Sequence, residues 1–201
     1  PIDDPRQDWV RVVPSSDNWV QGYRESAWHP HRSLILEALE SIGEWNSIFE
    51  VGCNAGPNLF RIGQSFPTAE LAGIDANSDT IKLAKKYLGD MELFVGNLLD
   101  IPVPDKSYDI VLSDAVLLYI SPKDIKEAME EMDRVSRKGM ILVERYHASL
   151  GGKVRGHVWA RNYKKILERM GYKVRARKLR KKDWPTSERW ENYGYIFTAI
   201  K

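Results

Sequence analysis

The chain has a single cysteine, Cys53, among 201 residues. An internal disulfide is therefore impossible, a cysteine-built metal site is excluded, and a reducing, cytoplasmic setting is the expectation. Long apolar runs are also missing: no stretch of 18 or more apolar residues exists to cross a membrane as a helix. The start does not show the basic-then-apolar pattern of a secretory leader. Its first residue, Pro1, is not Met, which leaves open what precedes it. Histidine is scarce, at 29, 31, 147 and 157, with no H-E-x-x-H spacing, so no metal is expected. Tryptophan is missing from residues 46–158 and histidine from residues 32–146. The middle is thus a plain core, and the flanks hold the large aromatic and imidazole groups suited to a substrate pocket. For most of the tryptophans, packing flanking helices onto that core is the plainer expectation.

What the chain does have is 43% hydrophobic content, enough for one domain with a sizeable core. Its charge is uneven. Residues 153–182 hold 13 Lys and Arg against one acid, Glu168, a local +12 that leaves −10 on the rest of a chain of net charge +2. Such a stretch suits an anionic partner or substrate, or a solvated basic face.

Strand-like apolar runs alternate with helical spacing. Residues 47–51, 70–75, 91–95, 108–113 and 140–144 read as strands, and 172–178 and 193–200 as two more. Helices are expected over about 57–65 and from the Asn77-Ser78-Asp79 cap to Leu88, stopped by Gly89. Another is expected from Ser121-Pro122 along the stripe Ile125, Met129, Met132 and Val135, and a last one over 158–170 before Gly171. This alternation predicts a parallel sheet with helices on both faces, and runs such as IVL and ILV suit strands covered on both sides.

The first of these strands ends in FEVGCNAGPNL, residues 49–59. In doubly wound sheets, ligands sit beyond the carboxyl ends of the strands. Gly52 and Gly56 permit positive φ and close approach of a ligand, and Asn54 is the residue type that best replaces a glycine there. The spacing does not fit G-x-G-x-x-G, so a diphosphate seat is not expected. Glu50 just before the loop repels a diphosphate and welcomes a cation. Asp75 ends the second strand, where a carboxylate accepts from both hydroxyls of a ribose. GNLLDIP (96–102) ends the third strand and offers Asn97 to an adenine edge. Together these loops suit an adenosine with a positively charged, phosphate-free tail.

The sequence resembles the class I S-adenosylmethionine-dependent methyltransferases. EVGCNAG is similar to that family's E/D-x-G-x-G-x-G loop, LAGID to its second strand, GNLLDIPVPDKSYDIVLSDAVLLYISP to its third and fourth strands, and EMDRVSRKGMILVE to the helix and fifth strand that follow. The resemblance covers about residues 46–145. It implies an α/β fold: a doubly wound, Rossmann-like, seven-stranded, mostly parallel sheet with an antiparallel last strand and helices on both faces. It implies one domain, with a helical lid over 1–45, a cofactor core over 46–145, and a substrate-side segment with closing strands over 146–201. It also implies S-adenosylmethionine as cofactor. Gly52, Asn54, Gly56 and Ser113 would lie near the methionine part, Glu50 would orient the loop or act near the amino group, and Asp75 would hold the ribose, with Ala76 on the adenine and Asn97 and Leu98 at the adenine edge. Asn54 and Asn97 depart from the family's usual glycine and aspartate.

A sulfonium is already a strong electrophile, so much of the catalysis comes from positioning, and a base helps where the acceptor carries a proton. Asp114 and Tyr119 after the fourth strand and His147 after the fifth are the catalytic candidates. Tyr23, Trp28, His29, His31, Tyr146, His157 and Trp159 are the candidate substrate-binding residues. A small-molecule acceptor, methylated on O or N, is the first reading. An RNA or other nucleic-acid acceptor is the second, carried by the basic stretch with Trp159, Tyr163 and Tyr172 as base-stacking candidates. Against it, SDAVLLY stands where an N/D-P-P-[YFW] motif would. A non-catalytic binding module is third, and an intact cofactor loop argues against it.

Overall fold

The computed structural model describes residue 22 and residues 25–148, 153–155 and 158–201. Its first half runs α1 (His31–Ser41), β1 (Ser47–Val51), α2 (Pro57–Ser65), β2 (Glu70–Asp75), α3 (Ser78–Leu88), β3 (Glu92–Val95) and β4 (Tyr108–Asp114). A 3-10 turn (Leu117–Tyr119), α4 (Ile125–Val135), β5 (Ser136–Arg145) and a short pair, β6 (Lys153–Arg155) and β7 (Val158–Trp159), come next. The chain closes with α5 (Tyr163–Arg169), β8 (Lys173–Lys178), α6 (Glu188–Tyr193) and β9 (Gly194–Ile200).

Seven strands form one sheet in the order β3-β2-β1-β4-β5-β9-β8. The first five are parallel, and β9 runs antiparallel to both β5 and β8. This is the doubly wound arrangement that the alternation of elements predicts. The order reverses between β1 and β4, which sets a crevice at their carboxyl ends.

Side chains along a strand alternate between faces, and the two faces are filled by different helices. Ile48, Ile110, Leu112, Ile141 and Val143 pack with Leu34, Ile35 and Leu39 of α1, Leu59 and Ile62 of α2, and Ile81 and Ala84 of α3. Phe49, Val51, Val111, Met140, Leu142 and Phe197 pack on the other face with Ala128, Met129, Met132 and Val135 of α4 and Tyr163 and Leu167 of α5. Burying side chains of this size stabilises by about 1.5–3 kcal/mol each. The same parity decides where the polar strand residues point. Glu50 and Asp114 fall on the α1–α3 face, while Ser113 and Glu144 fall on the face of α4 and α5.

Caps place the helix ends largely as expected. The Asn77 side chain accepts from Asp79 N at 2.9 Å and Thr80 N at 3.3 Å, and Gly89 follows with φ +63°. Two boundaries differ. Regular helix after β4 begins at Ile125, because Ser121 to Asp124 close a turn first: Ser121 O accepts from both Asp124 N and Ile125 N, and Ser121 Oγ donates to Asp124. The helix expected over 158–170 covers only Tyr163–Arg169. Val158 and Trp159 pair with β6 instead, and the Asn162 side chain accepts from Lys165 N at 2.9 Å to start the helix late.

Candidate functional site

The loop after β1 turns through three left-handed residues in a short span: Gly52 at φ +66°, Asn54 at φ +51° and Gly56 at φ +77°. Asn54 thus stands where a glycine is otherwise demanded. Its side chain accepts from Ala55 N at 2.7 Å, which helps hold that conformation. The two glycines also admit neighbours. A Cβ on Gly52 would lie 2.3 Å from the Val116 side chain, and one on Gly56 2.3 Å from Leu88. Asp75, at the end of β2, ties the loop down. Its carboxylate accepts from Asn54 N at 2.8 Å and Asn77 N at 2.9 Å. Burial raises its pKa against those bonds.

Beyond the carboxyl ends of β1 and β4 lies a chain of buried polar groups. Asn58, on the first turn of α2, donates its amide to Glu50 at 2.7 Å and to Asp114 at 3.0 Å. Asp114 meets His31 Nε2 of α1 at 2.8 Å, and His31 Nδ1 meets His29 Nδ1 at 2.5 Å. Trp184, which carries no motif, stacks on His31 at 4.2 Å between ring centres and packs against His29 at 4.8 Å. Trp184 is itself stacked on Trp190 at 4.1 Å.

Several atoms in this chain, and one on the neighbouring Arg32, are buried with no hydrogen-bond partner among the described residues: Glu50 Oε2, Asn58 Oδ1, Asp114 Oδ1, His29 Nε2 and Arg32 Nε. Buried polar atoms are normally paired, so this set marks a place built for something else to complete. The electrostatics are correspondingly shifted. Burial pushes Glu50 up to about 8; Asp114 and Asp75 add to this, and Asn58 and Arg32 oppose it. Burial also disfavours the Asp114 anion, but His31, Arg32 and Asn58 outweigh it and hold that carboxyl well below the usual range. Burial lowers His29 to about 4, with His31 and Arg32 adding and Asp114 opposing. The arrangement can receive a cation at its carboxylates and a proton at an imidazole.

On the opposite face, Glu144 holds the segment after β4 in place. It is fully buried. Its Oε1 accepts from Ser113 Oγ, Val116 N and Leu117 N at 2.8–2.9 Å, and its Oε2 from Leu118 N at 3.1 Å. Burial raises it to about 7 against those donors. Arg161 grips the other end of the same turn, donating to Leu117 O at 2.8 Å and to Ile120 O. The only sequence signal for Glu144 was an acid closing an apolar strand run. Glu144→Gln turns an amide donor toward backbone donors, and a loss of about 2–3 kcal/mol is expected. A urea melt with unchanged slope and a lowered midpoint checks this; an unchanged midpoint would show that the turn holds itself.

The other sequence candidates lie as follows. Ser113 is buried, and its hydroxyl donates to Glu144 rather than facing Glu50 and Asp114. Ala76 and Asn97 are exposed and Leu98 is buried. The Asn97 side chain accepts from Leu99 N at 3.0 Å. Tyr119 sits half-buried in the 3-10 turn, its pKa raised by burial. Tyr146 packs on Tyr195 at 4.8 Å, and His147 is exposed beside it. Trp28 is exposed with the Arg61 guanidinium 4.3 Å from its ring centre. Trp159 is buried under the Arg161 guanidinium. Tyr23 and His157 lie outside the described residues. The structure therefore joins Glu50, Asp114, His29 and His31 in one chain and does not bring His147 or Trp159 into it.

Residues 48–139 match a family described as a methyltransferase domain. U6 snRNA (guanine-N(2))-methyltransferase THUMPD2 of Bos taurus is 28% identical over 136 residues, 60% of this chain and 27% of that protein. Fatty-acid O-methyltransferase of Mycolicibacterium smegmatis is 33% identical over 72 residues, 35% of this chain and 26% of that protein. The chain thus spans about a quarter of the length of these two curated relatives. Among solved structures, magnesium protoporphyrin IX methyltransferase from Synechocystis, with bound SAM, aligns with a TM-score of 0.67 at 16% identity, covering 98% of this chain and 97% of that one. That likeness is one of fold.

Proposed function

The chain carries a class I S-adenosylmethionine-dependent methyltransferase domain, and from that premise we propose that it transfers the methyl group of S-adenosylmethionine to an oxygen or nitrogen of a small molecule. The observation that carries the reading is the pair of buried carboxylate oxygens, Glu50 Oε2 and Asp114 Oδ1, left without partners at the reversal of strand order. The methionine ammonium satisfies them, and the buried Arg32 offers its unpartnered Nε to the carboxylate of the same moiety. Asp75 accepts from the ribose hydroxyls with the lone pairs its two backbone donors leave. Ala76, Asn97 and Leu98 border the adenine, and Gly52, Asn54 and Gly56 shape the loop beneath. Bound there, the cofactor supplies an electrophilic methyl group. Residues 25–45 and 158–201 form lid and acceptor side, and residues 1–21 of the expected lid lie outside the described residues. A cytoplasmic location agrees with the one free cysteine, Cys53, and no helix among the described residues is long and apolar enough to cross a membrane.

An RNA acceptor is the second reading, favoured by the relative that methylates U6 snRNA. The basic stretch gives it limited help. Its stacking candidates Trp159, Tyr163 and Tyr172 are all buried, so no base can lie on them. Its exposed cations Lys173, Arg175 and Lys178 sit on β8, three strands from β4, roughly 14 Å away at the usual strand spacing. Titration calorimetry with S-adenosylmethionine in the presence of chelator tests the first reading, and lack of binding would sink it. The triple change of Lys173, Arg175 and Lys178 to Glu is expected to leave that affinity within about twofold, since a Debye length screens exposed charges. A steep fall with salt in the affinity of wild type for a short RNA would favour the second reading.

A further inference from the structure

We propose that His29 is the base of this site, and that His31, held by the Asp114 carboxylate, takes over the proton charge, so that the methyl acceptor is a hydroxyl or N–H group rather than a carboxylate. The inference rests on the methyltransferase reading above. It starts from two contacts, His29 Nδ1 to His31 Nδ1 at 2.5 Å and His31 Nε2 to Asp114 Oδ2 at 2.8 Å.

Two imidazole nitrogens that face each other share one proton, and a carboxylate only accepts. His31 Nε2 must therefore carry a proton for Asp114. With His31 neutral, its Nδ1 is bare and accepts from His29 Nδ1–H. His29 Nε2 is then bare as well. That atom is buried and has no partner among the described residues, so the chain ends in an open lone pair. Among the described residues, the charged and titratable groups around His29 are His31, Arg32 and Asp114, and Glu50 joins through Asn58. Burial and the nearby Arg32 disfavour a cation on His29 itself. The Asp114 carboxylate lies 2.8 Å from His31 Nε2, at the far end of the chain from that lone pair.

The step balances. The acceptor's lone pair forms the new bond to the methyl carbon as the methyl–sulfur bond breaks, its electron pair staying on sulfur. The acceptor's proton passes to His29 Nε2. The proton on His29 Nδ1 crosses to His31 Nδ1, leaving His29 neutral and His31 an imidazolium against the Asp114 carboxylate. Trp184, stacked on His31 at 4.2 Å, offers its ring face to that cation and fixes the orientation of both imidazoles. A carboxylate acceptor, already ionised at neutral pH, would have no use for such a relay.

The test combines nitrogen NMR of histidine-labelled protein with transfer of labelled methyl to two probes, phenols of graded acidity and octanoate. At neutral pH, His29 is expected to carry its proton on Nδ1 with Nε2 bare. His29→Ala is expected to lower kcat toward phenols about 100-fold with little change in KM, and the loss should shrink as pH passes each phenol's own pKa. Asp114→Asn should lower kcat in the same direction, and His29→Gln, which keeps a polar side chain, should not recover it. A proton resting on His29 Nε2 would overturn the relay. So would a His29→Ala loss that is equal at every pH, or a wild type that methylates octanoate and no phenol. Failure of wild type to bind S-adenosylmethionine at all would instead strike the methyltransferase reading.

Discussion

Affinity for S-adenosylmethionine is expected to rise roughly tenfold per pH unit from pH 6 to about 8 and then to level off. The cause is Glu50. Burial raises its carboxyl to about 8, with Asp114 and Asp75 adding and Asn58 and Arg32 opposing, so at pH 6 the empty site holds a protonated acid. An ammonium beside Glu50 Oε2 favours the ionised form, and binding must therefore release a proton. Below the free pKa that release is a cost which grows by one decade per unit of acidity. Above about 8 the ligand's own α-amino group begins to lose its charge, and the gain stops. The same shift bears on the fold with the opposite slope. The folded pKa lies above the ordinary carboxyl value of 4.5, so this group's favourable contribution is present below that value and is lost as pH rises toward 8, by up to about 1.4 kcal/mol per unit. Calorimetry in buffers of different ionisation heat reads the proton directly. Glu50→Gln should flatten the pH dependence. Proton uptake on binding, or a flat profile in wild type, would remove Glu50 from the cofactor site.

Asp75→Ala should raise the cofactor dissociation constant roughly 30- to 150-fold. Hydrogen bonds to a charged group are worth about 1.5–3 kcal/mol each, and with water entering the vacated space a net loss of about 2–3 kcal/mol corresponds to that range. The variant should also lose stability, because the carboxylate accepts from Asn54 N and Asn77 N and so pins the β1 loop to the end of β2. The two effects separate by measurement: ligand affinity on one side, the denaturant midpoint on the other. A lowered midpoint with unchanged affinity would make Asp75 a loop anchor only.

Much of this architecture is written in local pattern. Apolar runs mark β1, β2, β4 and β5, and the need for left-handed backbone at Asn54 follows from residue type alone. What local pattern does not carry is the choice of distant partner. His31 and Asp114 lie 83 positions apart, and nothing at either position announces the other. Ser113 and Asp114 are neighbours in sequence, yet the pleat sends one to Glu144 and the other to His31. The basic stretch misleads for a related reason: Arg161 looks like its neighbours in composition but is buried and bonded to backbone carbonyls. Residues 158–159 read as helix because their apolar character does not reveal that β6 is there to pair with them.

The position of β8 at the rim of the sheet has a consequence for how copies of the chain behave together. Among the described residues, one side of that strand has hydrogen-bonding groups with no neighbouring strand, an open seam onto which another chain's strand can zip. Lys173, Arg175 and Lys178 stand exposed along it. Two molecules meeting seam to seam would bring like charges together at strand distance, before any backbone bond could form. Read this way, part of the basic stretch is a fence, and it needs no anionic partner to justify its place in the sequence.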